Sequence, residues 1–198
     1  MESKCATTIA HFLAINIPEA RAKENIIRYG LELMITAFVG LLLMICVSVI
    51  GGHPLIWLPF IFGFAPIRTT AGGYHAPSHL GCYIVTTATY SFFMMLALFL
   101  RTHLWIYIVS TAVSFLLVLT LSPVEAQNKP LSQRKRKANR RASLFLAAVE
   151  LIGAVLLFCL EVSSLWATMF FYGILAASLS LVAAKIITLT ERRSSNED

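Results

Sequence analysis

An all-α, polytopic integral membrane protein with about six membrane segments is the fold class this sequence predicts, and three observations predict it. Of 198 residues, 58% are hydrophobic and 13% charged, whereas a soluble domain is about a quarter charged. The charges are clustered, so long stretches carry almost none. Apolar runs near the ~20 helical residues needed to cross a hydrocarbon core of about 30 Å recur along the chain.

Before the first run, Ile9, Phe12, Leu13 and Ile17 recur at helical spacing, and Pro18 suits the start of a new helix. Residues 1–29 therefore read as an amphipathic segment on the inner leaflet, either a plain membrane-adjacent leader or a partner-binding element. The first apolar run begins near Leu31, too far in and too long for a signal-peptide core, so the N-terminus is expected to be retained. Five full spans follow: Leu31 to Ile50, Cys82 to Leu100, Leu104 to Ser122, Ala142 to Leu160 and Ser163 to Leu189. The stretch "GGHPLIWLPFIFGFAPI", 51–67, is short and carries Pro54, Pro59 and Pro66, so it reads as a bent or partly unwound crossing.

The distribution of positive charge argues that this short stretch crosses. With six spans and both termini cytoplasmic, the inside segments hold Lys4, Arg21, Lys23 and Arg28, then Arg68, then the seven Lys and Arg of 129–141, then Lys185, Arg192 and Arg193. Only Arg101 is left outside. Without the short span, the N-terminus and the basic run fall on opposite faces, against the positive-inside tendency. The whole chain, 1–198, reads as one membrane-embedded domain, with a loop at 68–82 and a basic cytoplasmic loop at 123–141. No internal repeat supports an inverted-repeat transporter.

Of the four cysteines, no pair has the spacing of a zinc knuckle or a secreted disulfide framework. Cys46 and Cys159 lie deep in apolar runs and are expected as small buried hydrophobes. His11, His53 and His103 lie near span boundaries and read as interfacial. Cys82 differs, because it ends the polar interruption "TAGGYHAPSHLGC", 70–82.

That interruption has the parts of a thiol nucleophile. A thiol attacks as thiolate, and histidine is the usual base to generate one near neutral pH. On one straight helix His75 and Cys82 would stand about 10 Å apart along the axis, too far to hydrogen-bond. Pro77 and Gly81 break that helix, and Ser78 suits the cap of the next one. A turn could thus return His75 to Cys82, near the positive end of a helix dipole. Gly72 and Gly73 would let backbone N–H groups approach a substrate carbonyl as an oxyanion site. A metal site of His75, His79 and Cys82 competes on spacing, but Pro77 spoils the helical pair and no fourth ligand is obvious. A plain polar loop is the remaining reading, weakened by the cost of burying polar groups at a membrane.

"IRTTAGGYHAPSHLGC", followed after two spans by "SPVEAQNKPLSQRKRKANRR", resembles the accessory gene regulator protein B (AgrB) family, as does "RYGLEL" ahead of the first span. The resemblance covers essentially the whole chain. It implies a membrane cysteine endopeptidase of a Gram-positive bacterium. Such enzymes cut the C-terminal part from a short precursor, AgrD, and cyclise the rest to a thiolactone or lactone quorum-sensing signal. It further implies Cys82 as nucleophile and His75 as general base, with Arg68 and Gly73 important around the site and Glu32 at a polar position in the first span. The "NKPL" containing Lys129 precedes the basic run in the family's order. Arg134, Lys135, Arg136 and Lys137 either hold anionic lipid and fix topology or capture the acidic tail of the precursor. Arg68 is either a substrate contact or a topology anchor. A homodimer is implied by the resemblance; no metal, cofactor or nucleic acid is expected. The alternative class is a small membrane transporter or scaffold without covalent catalysis, served by the bent spans and by Glu32, Glu150 and Glu161.

Overall fold

The structure, a computed structural model, describes residues 2–17, 21, 23–74, 76, 78–100, 103–124, 132–161 and 164–194. Among them seven helices and no strands are found: α1 (Glu2–Asn16), α2 (Glu24–Ile50), α3 (Trp57–Ala71), α4 (His79–Phe99), α5 (Leu104–Leu121), α6 (Gln133–Cys159) and α7 (Leu165–Ser194). Four of these, α2, α4, α6 and α7, are long and apolar enough to cross a membrane, and α5 is a shorter apolar helix. At 15 residues, α3 is about 22 Å long, less than the hydrocarbon thickness.

The helix bounds correct several expectations. Residues 51–56 form turns, and the helix that follows runs past Ile67 to Ala71 with Pro66 inside it. The expected loop at 68–82 shrinks accordingly, since 68–71 end α3 and 79–82 open α4. Much of the basic run is likewise helix rather than loop. Ser132 caps α6 by accepting from the Lys135 N–H at 3.4 Å, and Gln, Lys, Arg and Ala are good helix formers. The helix that carries the first span starts ahead of Leu31, at Glu24, so 1–29 holds both α1 and the beginning of α2.

α1 packs on α2 through a stripe of alanines: Ala6, Ala10 and Ala14 are buried while Ile9, Phe12 and Ile15 face outward. His11 Nδ1 lies 3.2 Å from Glu24 Oε1 across that pair. Cys46 and Cys159 are exposed, not buried. Met44 and Ser48 mark the inner face of α2, and a residue two positions on from Met44 is rotated about 200° away from it. Large apolar side chains such as Phe38, Phe62, Phe99, Trp105 and Phe145 cover the outside of the bundle, as expected of a surface solvated by lipid.

α7 is the centre of the bundle: half of its apolar window is buried, against 17 to 22% for the other three long helices. It meets α3 backbone to backbone. A Cβ on Gly63 would run into the Phe170 carbonyl, and one on Gly173 into the Phe60 carbonyl, the close approach that small residues permit between membrane helices. Around this crossing Phe60, Tyr90, Phe93 and Tyr172 form an aromatic core, with the Phe60 and Tyr90 rings edge-on at 5.1 Å. α5 and α6 close the other side, joined by a buried hydrogen bond of 2.6 Å between the Ser122 and Ser143 hydroxyls. The α3–α7 contact fixes where the end of α3 stands, and that is where the site begins.

Candidate active site

Arg68 lies in the last turn of α3, outside the four long helices. After Ala71 the chain turns sharply: Gly72 has φ 86° and Gly73 φ 143°, both in the region that L side chains rarely adopt. The turn is stitched at both ends. The Val124 N–H donates to the Ala71 carbonyl at 2.9 Å, and the Tyr74 N–H donates to the Ser180 carbonyl of α7 at 3.0 Å. The Arg68 guanidinium reaches over the turn and donates through Nη2 to the Tyr74 carbonyl. Gly73 sits beneath it, with no room for a Cβ between Arg68 Nη1 and the Ser180 hydroxyl, and Gly72 is pressed against the Val124 carbonyl in the same way. The two glycines thus act sterically here, by letting the turn dock on α7 and under Arg68.

α4 starts at the far side of the turn. Ser78 is its N-cap, accepting from the Gly81 N–H at 3.1 Å, and the Cys82 N–H donates to the Ser78 carbonyl at 3.0 Å. Cys82 is therefore in the first turns of α4, half-buried, where the partial positive charge of a helix N-terminus favours an anion. It lines a cavity of about 470 Å³ together with Arg68, Tyr74 and Ser180 at one end and Phe60, Phe64, Phe92 and Phe93 further in. Burial pushes the Arg68 guanidinium below its ordinary range, and its Coulomb interaction with Cys82 pushes it back up. Nη1 of Arg68 is buried without a hydrogen-bond partner among the described residues. A thiol and a guanidinium lining one largely apolar cavity are groups that can attack a carbonyl and stabilise the charge that develops on it.

Not every anticipated residue converges on this cavity. His75 and Lys129 lie outside the described residues. Glu32 is half-buried on α2 and is not among the residues lining the cavity; its own carbonyl accepts from the Thr36 hydroxyl at 2.8 Å. Arg134, Lys135, Arg136 and Lys137 are exposed at the start of α6, also away from the cavity walls. Sequence reasoning missed Ser180, which backs Gly73 and holds Tyr74, and missed the phenylalanine walls. The spacing of Phe60, Phe64 and Arg68, four residues apart on one helix face, was the available signal for the latter.

The description "Accessory gene regulator B" belongs to the family whose profile matches residues 6–184, a span that contains the entire site. The chain belongs to this family. Among its relatives, AgrB-like protein 2 of Clostridium perfringens (strain 13 / Type A) is 24% identical over 152 residues, covering 73% of this chain and 71% of that protein. An AgrB-like protein of Clostridium perfringens strain SM101 / Type A is 23% identical over 176 residues, covering 85% and 81%. No solved structure matches the chain at a significant level. Membership in the accessory gene regulator B family gives this multi-helix membrane protein a role in the accessory gene regulator quorum-sensing system.

Proposed function

We propose that the protein is a membrane cysteine endopeptidase that cuts an AgrD-like precursor and promotes cyclisation of the part it keeps. The observation that carries this reading is the cavity that Cys82 and Arg68 line together at the start of α4 and the end of α3. His75 takes the Cys82 proton, and the sulfur attacks the scissile carbonyl, forming an S–C bond as the C–N bond breaks. The proton passes from His75 to the leaving amine, so the products are a free C-terminal fragment and a peptide thioester on Cys82. A cysteine or serine side chain of the bound peptide then attacks that thioester, closes the ring and returns the thiol. Limiting water at the membrane surface protects the thioester from hydrolysis. Because an amide is exchanged for a thioester, the first step runs uphill and is drawn forward by loss of the fragment.

In this reading the chain is one domain with six membrane segments, residues 51–67 making the second crossing, and both termini and the site face the cytoplasm. The basic turn Arg134–Lys137, with Lys129 just before it, receives the acidic end of the precursor or the anionic headgroups. The decisive experiment incubates the purified protein with its precursor and seeks a peptide thioester on Cys82 by mass spectrometry. Cleavage that persists in Cys82→Ser, or is abolished only by a chelator, would overturn the proposal. A transporter or scaffold would keep its activity in Cys82→Ser.

A further inference from the structure

The cavity is far more than a recess for the two polar groups at its head. Three helix faces build it. On α4, Val85, Thr89 and Phe92 continue the face that carries Cys82, and on α3, Phe60 and Phe64 continue the face that carries Arg68. α7 closes the third side with Leu179 and Ala183. From Arg68 to Phe60 is eight residues of helix, so the apolar part reaches about 12 Å inward from the polar head. The groove also opens sideways, since Val85, Phe92 and Leu179 are 45%, 61% and 44% exposed at its edge. A volume of about 470 Å³ falls in the range of sites that hold small ligands, roughly 300–1,000 Å³.

We propose that this groove is a specificity pocket for a large apolar side chain, aromatic or branched aliphatic, on the residue whose carbonyl Cys82 attacks. The inference rests on the endopeptidase reading and adds the chemical class of residue before the cut. The geometry gives three reasons. Cys82 and Arg68 stand together at one end of the groove, so a carbonyl attacked there directs its own side chain along the α3 and α4 faces. A charged or amide side chain placed among Phe60, Phe64, Phe92 and Phe93 would lose its water and find no partner. The lateral opening lets a peptide already lying in the bilayer surface enter without leaving it.

The test compares alkylation of the detergent-solubilised full chain by iodoacetamide and by N-(2-phenylethyl)iodoacetamide. Each forms a thioether at sulfur, releasing iodide and a proton to the buffer, and the rate at each cysteine is read by mass spectrometry. Cys46 and Cys159, exposed on apolar stretches of helix, report how far the aromatic reagent merely concentrates in the micelle. The aromatic-to-small rate ratio at Cys82 should exceed the ratio at those two by about tenfold, the low end of the discrimination an apolar pocket provides. Thr89→Trp and Ala183→Phe fill the groove from opposite walls, and either should bring the Cys82 ratio down to that of the other cysteines. Equal ratios in the wild-type chain, or a preference that survives both substitutions, would overturn the proposal. So would protection of Cys82 from both reagents that disappears on delipidation, because a lipid tail would then be the occupant. Retained preference with no precursor thioester would sink the endopeptidase reading and leave the pocket standing; the reverse would sink the pocket alone.

Discussion

Replacing Gly73 by alanine adds one methyl group at the most constrained point of the site. Its φ of 143° places an L side chain in strained backbone, which costs about 1–3 kcal/mol. The new Cβ also meets Arg68 Nη1 and the Ser180 hydroxyl, so either the guanidinium moves off the Tyr74 carbonyl or the turn lifts from α7 and gives up the 3.0 Å Tyr74–Ser180 hydrogen bond. Losing one such hydrogen bond costs a further ~1 kcal/mol. A total near 3 kcal/mol, if it falls on the competent arrangement of Arg68 and Cys82, lowers the processing rate by about a hundredfold. The assay is precursor cleavage by the purified variant at saturating and limiting peptide, with thermal unfolding measured alongside. Gly153→Ala on α6 is the control, because its Cβ meets nothing within 4 Å, and a helical Gly-to-Ala change there should be neutral or stabilising by up to ~1 kcal/mol. Wild-type processing in Gly73→Ala, or equal damage from Gly153→Ala, would refute the reasoning.

Removing Cys5, Cys46 and Cys159 together should leave cleavage intact, whereas Cys82→Ala alone should abolish it, both scored by release of the C-terminal fragment. Neutralising Arg134, Lys135, Arg136 and Lys137 should slow processing more at low salt than at high salt, since screening already removes much of the attraction at an ionic strength of about 0.1 M; an equal loss at both salts would favour a role in topology. Ser143→Ala strands the buried Ser122 hydroxyl and should lower stability by about 1–3 kcal/mol, while the double replacement with Ser122→Ala should cost less than the two single losses added. Glu150 is 7% exposed, with Oε2 unpaired among the described residues, so Glu150→Leu should raise the melting temperature in detergent; a lower one would mean that the carboxyl has a partner.

Patterns that repeat along one helix were legible without coordinates. Long apolar runs marked α2, α4, α6 and α7 because crossing hydrocarbon demands continuous apolar length, and Ser78 marked the start of α4 because a helix end must satisfy its own N–H groups. The stretch around Cys82 stood out because polar residues between two apolar runs need a reason. Which face of each helix turns inward was not legible, since lipid and protein interior are equally apolar and both faces read alike. Cys46 and Cys159 were misread on that account, and the alanine stripe that seats α1 went unnoticed.

From its order of residues alone, then, this protein is determined to be a membrane-embedded helical chain of the accessory gene regulator B type, with the Cys82 thiol at a helix start. Only the packing of α3 and α4 on α7 decided that Arg68 shares a cavity with Cys82, that Ser180 underpins Gly73, and that phenylalanines form the walls beyond. Those contacts join segments far apart in the chain, and their positions follow from the backbone crossing at Gly63 and Gly173, a fit of surfaces that no single stretch of sequence encodes.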